Sequence, residues 1–357
     1  MTTASAAGVA TIEATEEAAR ATIEALLGTG VVELRRIGDG RNSRVYRVLC
    51  GNEVLAAKFY FGTTADGRGR LATELAALEF LWRHGWRSIP EPLLADESRQ
   101  LAIYGFIAGQ PICAAAASAE DIRQLVAFLA KLHDLSEHPE ASAMPVAAEA
   151  FFTLPEILQN LEMRLARLTN PGPGGPAYEA LSRFLTDQFL PALACFGDRA
   201  REIGVPELPH GQRTLSPSDY GFHNALRRDS GEIVFLDFEY FGWDDPAKLV
   251  SDIQLHPQMQ LAPERSLQLM TGLREIFGAH RGWRHRVEAL YPLFALKWCL
   301  ILLNEFRPEQ IARRQFVDGQ DDAEACQLRH LEAAQQALRS LVAGDGQFPF
   351  PEALFGD

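Results

Sequence analysis

The sequence lacks most of the patterns that would assign it to a common class of site. Its five cysteines are odd in number and contain no CxxC pair, which argues against a disulfide framework or a zinc ribbon and favours a reducing compartment. HExxH, GxSxG and Walker A motifs are also missing, so metalloprotease, serine hydrolase and P-loop interpretations have no support. No internal repeat interrupts the chain.

Basic residues are a minority and never form a dense run. With 34 Lys and Arg against 47 Asp and Glu, the formal net charge is −13, whereas a nucleic-acid binder needs a basic face. We therefore expect no nucleic-acid partner, and the acidic balance mildly favours a neutral or cationic small acceptor.

Membrane signals are equally sparse. The first 20 residues have neither the basic segment nor the apolar core of a signal peptide. The most apolar run, residues 290–303, contains Pro292 and Lys297 and predicts a buried helix rather than a membrane span. We expect a cytoplasmic protein without a membrane partner.

The most informative stretch runs from residue 210 to residue 253. Asp219 is followed five residues later by Asn224, and a predicted hairpin then leads to a second acid, Asp237, in the tripeptide Asp-Phe-Glu. An acid, an amide at this spacing and a second acid suit magnesium-dependent phosphoryl transfer. One carboxylate would take or orient the acceptor proton, and carboxylate and amide oxygens would hold the metal.

A β-rich segment lies near the amino terminus. Residues 31–37, 44–50 and 53–60 predict three strands, and Gly51-Asn52 supplies the two-residue turn between the last two. The intervening loop, residues 38–43, could cover nucleotide phosphates with backbone amides. Turn geometry alone also explains its two glycines, and a complete GxGxxG is absent.

Lys58 stands out in the third predicted strand because its neighbours are apolar. A buried lysine needs a partner, and in a kinase arrangement it holds phosphates and pairs with a glutamate of the next helix. Residues 70–81 predict that helix, in which Glu74 borders the buried face and Glu79 does not; we prefer Glu74. The alternative is that Lys58 extends from a strand edge to solvent.

The remaining elements change from strands to helices along the chain. Residues 89–95 and 101–106 predict two more strands, and Ser118 caps a helix that ends near residue 135. Further helices are predicted at 155–168, 177–203, 247–256, 264–278, 284–304 and 323–342.

The catalytic stretch resembles a known family. Asp219 to Asn224, Asp237 to Glu239 and Asp245-Pro246 resemble the catalytic loop, the metal-binding segment and the following Asp-Pro motif of aminoglycoside phosphotransferases and choline kinase-like enzymes. These are small-molecule kinases with a protein-kinase-like fold. The resemblance covers roughly residues 30–305 and is more specific in the catalytic stretch than in the amino-terminal half.

This resemblance implies an α+β fold with two lobes. The N-lobe is a small antiparallel sheet that binds nucleotide, and the C-lobe is larger and mainly helical. The expected parts are an N-terminal tail and helix at 1–28, the N-lobe at 29–107 and the C-lobe, with catalytic loop and acceptor pocket, at 108–357.

The resemblance also implies site residues, in an enzyme that uses ATP or GTP with Mg²⁺. Asp219 would be catalytic, and Asn224 and Asp237 would bind metal. The expected nucleotide-binding residues are Lys58, Glu74, Gly40, Asn42, Ser43, Gly105 and Ile107. Two positions depart from the family pattern, since Pro217 replaces a loop-bracing His and Lys248 replaces a common Asp.

The expected activity is transfer of a γ-phosphate to a hydroxyl of a small molecule, such as an aminoglycoside, a sugar or an amino alcohol. Asp237 lies only eight residues before Asp245, which leaves no room for a protein-kinase activation segment. The helices after residue 247 would form the acceptor pocket, with candidate lining residues Trp298, Asn304, Glu305 and Phe306. The alternative is an inactive nucleotide-binding pseudokinase.

Overall fold

The computed structural model describes residues 16–38, 43–60, 69–169, 174–307 and 323–350. The chain divides into two compact units: residues 1–149 with 215–243, and residues 150–214 with 244–357. This division reflects internal packing. The functional boundary expected between residues 107 and 108 stays a prediction, and the expected tail and most of the 38–43 loop lie outside the described residues.

The first unit contains a five-stranded antiparallel sheet with strand order β1-β2-β3-β5-β4. Side chains of β3 alternate between its faces. Leu55, Ala57 and Phe59 pack in a cluster with Ala19 and Ile23 of helix α1, while Lys58 points to a glutamate of helix α2. The strands of this sheet are β1 (Glu33–Gly38), β2 (Ser43–Cys50), β3 (Glu53–Tyr60), β4 (Pro92–Asp96) and β5 (Leu101–Gly105). The helices of this part of the chain are α1 (Glu16–Leu27) and α2 (Arg70–Arg83).

The first unit also contains helix α3 (Ala119–Ser136) and the strands β6 (Gln110–Pro111), β8 (Ala225–Arg227) and β9 (Ile233–Phe235). Two short strands, β7 (Thr214–Ser216) and β10 (Gly242–Asp244), each contain a boundary between the two units. Ser118 and Asp121 form a capping box at the start of α3. Phe128 of α3 packs against Tyr220 and Phe235, with ring centroids 5.5 and 4.3 Å away. These contacts fix the catalytic stretch on α3.

The second unit is helical. Its elements are α4 (Leu154–Thr169), α5 (Pro176–Phe184), α6 (Leu190–Ile203), α7 (Pro246–Leu255), α8 (Pro263–Phe277), α9 (Trp283–Leu302) and α10 (Ala323–Ala343). Apolar side chains of α4, α5, α6, α9 and α10 form one core cluster. Among the described residues, Trp283–Phe306 is long and apolar enough to cross a membrane, and 67% of its most apolar window is buried in the protein; a core helix passes the same test.

One long helix predicted at residues 177–203 is divided in the structure. Residues Leu185–Phe189 form a π-helical turn between α5 and α6. Pro191 follows two residues after that turn and has no N–H to donate to the preceding turn. A π-bulge accommodates such an interruption without breaking the helix.

Candidate active site

Lys58 lies on β3, an interior strand of the sheet, and is 7% exposed. Its Nζ lies 2.6 Å from Glu74 Oε2 and 2.8 Å from Asp237 Oδ1. Burial alone would lower the pKa of this ammonium, but the carboxylates of Asp237 and Glu74 outweigh burial and raise the pKa well above its usual value. Lys58 is therefore a fixed cation, and the alternative of an extended, solvent-facing lysine does not hold.

Glu74 is the glutamate that pairs with Lys58, whereas Glu79 is exposed. Both oxygens of Glu74 are engaged, since Oε2 also accepts a hydrogen bond from Tyr60 at 2.7 Å and Oε1 accepts one from the Phe238 backbone at 3.3 Å. The Tyr60 hydroxyl lies 2.7 Å from the Tyr104 hydroxyl. Burial, followed by the charge of Glu74, raises the pKa of Tyr60 well above its usual range.

The two tyrosines were not anticipated from the sequence. Tyr60 follows Lys58 by two positions, and strand periodicity places such residues on the same face. Tyr104 comes from β5, which is paired with β3. The pattern could have placed Tyr60 beside Lys58, but only the strand pairing brings Tyr104 to the same point.

Asp237 is the second acid of the predicted motif, and its backbone is left-handed, with φ of 63°. Two residues on, Glu239 is buried and receives a hydrogen bond of 2.8 Å from Arg70 at the start of α2. Burial and the Asp237 charge raise the pKa of Glu239. The side chain of Asp237 is 36% exposed, whereas those of Glu74 and Glu239 are 4% and 1% exposed.

The carboxylate oxygens of Glu74, Asp237 and Glu239 lie within 4.8 Å of one another. Oxygen donors of this kind are what Mg²⁺ prefers. Because Lys58, Tyr60 and Arg70 already hold the two buried glutamates, Asp237 is the member best placed to bind a cation from solvent. The donor set therefore fits magnesium, with Asp237 as the accessible ligand.

The loop before Asp219 is held without the histidine that Pro217 replaces. Ser218 adopts φ of 68°, its Oγ donates to the Ala148 carbonyl at 2.8 Å, and its N–H donates to Ser216 Oγ at 2.9 Å. The Asp219 N–H donates to the Pro217 carbonyl at 2.9 Å. Two serines and a backbone turn thus set the direction of the loop.

Asp219 and Asn224 are brought together as the spacing predicts. Asn224 Nδ2 donates to the Asp219 carbonyl at 2.9 Å and to its Oδ2 at 3.2 Å. The predicted hairpin is formed by β8 and β9, and the Leu236 N–H donates to the Asn224 carbonyl at 2.8 Å. Asn224 and Asp237 consequently lie at the same end of this hairpin.

The remaining predicted nucleotide contacts are described only in part. Gly40 and Asn42 lie outside the described residues, and Ser43 is a buried first residue of β2, paired with Tyr60. The Gly105 N–H donates to the Glu91 carbonyl at 2.9 Å, so this N–H is already used. Ile107 follows β5 and is half-buried. Their roles in nucleotide binding stay predictions.

The candidate acceptor residues lie in the second unit. Phe306 belongs to its core and meets Tyr178 edge-on, with ring centroids 5.5 Å apart, and Glu305 is buried. Trp298 is partly exposed and its Nε1 donates to Asp252 at 2.8 Å. Trp298 is thus engaged in a polar contact, and Phe306 serves packing.

That contact belongs to a buried charge cluster that includes Lys248. Its Nζ lies 2.9 Å from Asp244 Oδ2 and 3.0 Å from Asp252 Oδ2, and Lys297 Nζ lies 3.0 Å from Asp252 Oδ1. Burial opposes ionisation of Asp252, but Lys297 and Lys248 outweigh it and lower its pKa to about 2. Burial raises the pKa of Asp244. The charge of Lys248, the residue that departs from the family pattern, is therefore compensated by Asp244 and Asp252 of the same unit.

Comparison with known proteins identifies the family of the chain. The model of the phosphotransferase enzyme family matches residues 33–248, more than half of the chain. The chain belongs to this family. No curated protein matches it in sequence.

Solved structures show that this family member has the kinase-like fold expected from the sequence. Spectinomycin phosphotransferase APH(9)-Ia, in complex with ADP and spectinomycin, is 11% identical with a TM-score of 0.60, covering 92% of this chain and 98% of that one. The choline kinase LicA from Streptococcus pneumoniae is 15% identical with a TM-score of 0.57, covering 91% and 99%. The gentamicin–APH(2'')-IIa complex is 14% identical with a TM-score of 0.59, covering 95% and 100%.

Proposed function

We propose that the protein transfers the γ-phosphate of ATP or GTP to a hydroxyl group of a small molecule, such as an aminoglycoside, a sugar or an amino alcohol. The observation that carries this proposal is the contact of Lys58 with both Glu74 and Asp237, together with the Asp219–Asn224 pair, which directly precedes the β8–β9 hairpin. Family membership and the ADP- and spectinomycin-bound neighbour support it.

Each charged group has a distinct task in this mechanism. Lys58, held by Glu74, attracts the nucleotide phosphates with a permanent positive charge. Asp219 orients the acceptor hydroxyl and accepts its proton as the oxygen attacks. Asn224 and Asp237 would hold magnesium, which, when bound, neutralises charge on the phosphates.

A small acceptor is favoured over a protein. Residues 237 to 245 contain a turn and the short strand β10, which leaves no extended segment for docking a polypeptide. Aminoglycoside phosphotransferases and choline kinases both occur among the structural neighbours, and both act on small hydroxyl compounds by name. The acceptor class therefore stays open among aminoglycosides, sugars and amino alcohols.

The test is nucleotide consumption by the purified protein. Mg-ATP and Mg-GTP are each supplied with a panel of aminoglycosides, sugars, amino alcohols and nucleosides. We expect turnover with one class, and a loss of about a hundred-fold or more in Asp219→Asn. Asp229→Asn, at the exposed tip of the same hairpin, is the matched control and should keep full activity.

Binding separates the enzyme from its alternative. Calorimetry should show magnesium-dependent nucleotide binding by the wild type and its loss in Asp237→Ala. Equal metal-dependent binding by both proteins would contradict the metal role of Asp237. Tight nucleotide binding without turnover across the panel would favour a pseudokinase, and turnover confined to protein substrates would overturn the small-molecule proposal.

A further inference from the structure

His223 lies against the carboxylate of Asp219, although nothing in the D-x-x-x-x-N spacing points to it. Its Nε2 is 2.9 Å from Asp219 Oδ1, and Asn224 Nδ2 is 3.2 Å from Asp219 Oδ2. Each carboxylate oxygen thus has its own side-chain partner. Since a carboxylate only accepts hydrogen bonds, His223 must carry its proton on Nε2 here.

The two side chains differ in exposure. The side chain of His223 is 6% exposed and that of Asp219 is 39% exposed. The imidazole is therefore largely covered by protein, whereas the Asp219 carboxylate reaches solvent. A contact with this geometry holds the carboxylate without blocking it.

The local backbone explains why such a hold is needed. Pro217, two residues before Asp219, has no side-chain donor, and Ser218 adopts a left-handed conformation. Two hydrogen bonds that involve Ser216 and Ser218 brace the loop on this side. They direct the backbone but do not reach the Asp219 carboxylate.

We propose that His223 is a positioning residue for Asp219, resting on the proposed function. The short 3₁₀ turn Phe222–Asn224 places His223 and Asn224 side by side. Together they restrict rotation of the carboxylate, so that Asp219 presents its oxygens in one direction. His223 acts through Asp219 and does not need to touch either substrate.

The kinetic test uses two replacements of the same residue. His223→Phe keeps a ring but removes the donor, and we expect kcat to fall about 10- to 100-fold, since small misplacements of reacting groups cost on this scale. KM for the nucleotide should change little. His223→Gln returns an amide N–H at the equivalent position and should recover much of kcat. His285→Phe, at an exposed histidine, is the control and should match the wild type.

A double variant separates positioning from a general structural role. If His223 acts through Asp219, adding His223→Phe to Asp219→Asn should lower kcat by far less than it does in the wild type. Equal losses in both backgrounds, or a His223→Gln variant no better than His223→Phe, would overturn the proposal.

A spectroscopic test does not depend on turnover. In protein labelled with ¹⁵N-histidine, the His223 ring should show the Nε2–H form, and Asp219→Ala should shift its ring signals. Unchanged ring signals in Asp219→Ala would refute the contact. Absence of turnover by the wild type across the acceptor panel would instead refute the proposed function, so the two failures are distinguishable.

Discussion

Lys248→Met is the most direct test of the buried charge cluster in the second unit. Methionine has a similar length and no charge, so the change removes the ammonium that lies 2.9 Å from Asp244. Asp252 keeps Lys297 and Trp298 as partners. The loss therefore falls on Asp244, whose side chain is fully buried.

The magnitude follows from the two options left to Asp244. An uncompensated buried charge costs about 3–5 kcal/mol. Taking up a proton instead, from an ordinary pKa of 3.8, costs about 4 kcal/mol at pH 7 and about 1.6 kcal/mol at pH 5, at 1.36 kcal/mol per unit. We expect Lys248→Met to lower the free energy of unfolding by about 3–4 kcal/mol at pH 7 and by about 1.6 kcal/mol at pH 5.

Urea unfolding at pH 7, 6 and 5 measures this difference. Lys131→Met, at the exposed lysine of α3, is the control and should stay within about 0.5 kcal/mol of the wild type. The double variant Lys248→Met with Asp244→Asn should recover much of the loss, because no carboxylate remains to be neutralised. A loss of equal size at all three pH values would refute the charge argument and indicate lost packing.

Three further predictions concern other parts of the chain. Tyr60→Phe removes one donor to Glu74 and should weaken nucleotide binding several-fold by calorimetry while the protein stays folded. Ser218→Ala should lower the free energy of unfolding by about 1 kcal/mol because it loses a hydrogen bond. Ser218→Gly should be nearly neutral, because relief of the positive φ offsets the same loss. Urea unfolding measures the free energies of the two variants. Asp252 has a depressed folded-state pKa, so its stabilisation is present above about pH 4 and is lost as pH falls towards about 2. The stability gap between wild type and Asp252→Asn should narrow over that range.

The regular elements were accessible from the sequence because local patterns decide them. The turn Gly51-Asn52 and the alternating residues around it gave β3 at Glu53–Tyr60, as observed. Ser118 marked the start of α3 through its cap. The fold class was confirmed by the family and structural comparisons.

The parts of the site that the sequence did not predict depend on contacts between residues far apart in the chain. Spacing connects Asp219 with Asn224, five positions away, but the bond between Lys58 and Asp237 joins residues 179 positions apart. The sequence predicted a glutamate partner for Lys58 from the next helix, whereas the tyrosine pair requires the β3–β5 pairing. The contact of His223 with Asp219 was not predicted, because a histidine four residues after an acid does not by itself indicate a particular role.

The burial of Lys58, Lys248 and Lys297 has a practical consequence for chemical labelling. The chain has four lysines, and these three are 7%, 1% and 4% exposed, which leaves Lys131 as the lysine accessible to an amine-reactive reagent. Among the lysines, a dye or surface linker would therefore attach at Lys131 on α3. If mass spectra showed labelled Lys58, the five-stranded sheet would have opened near the contact between Lys58 and Glu74.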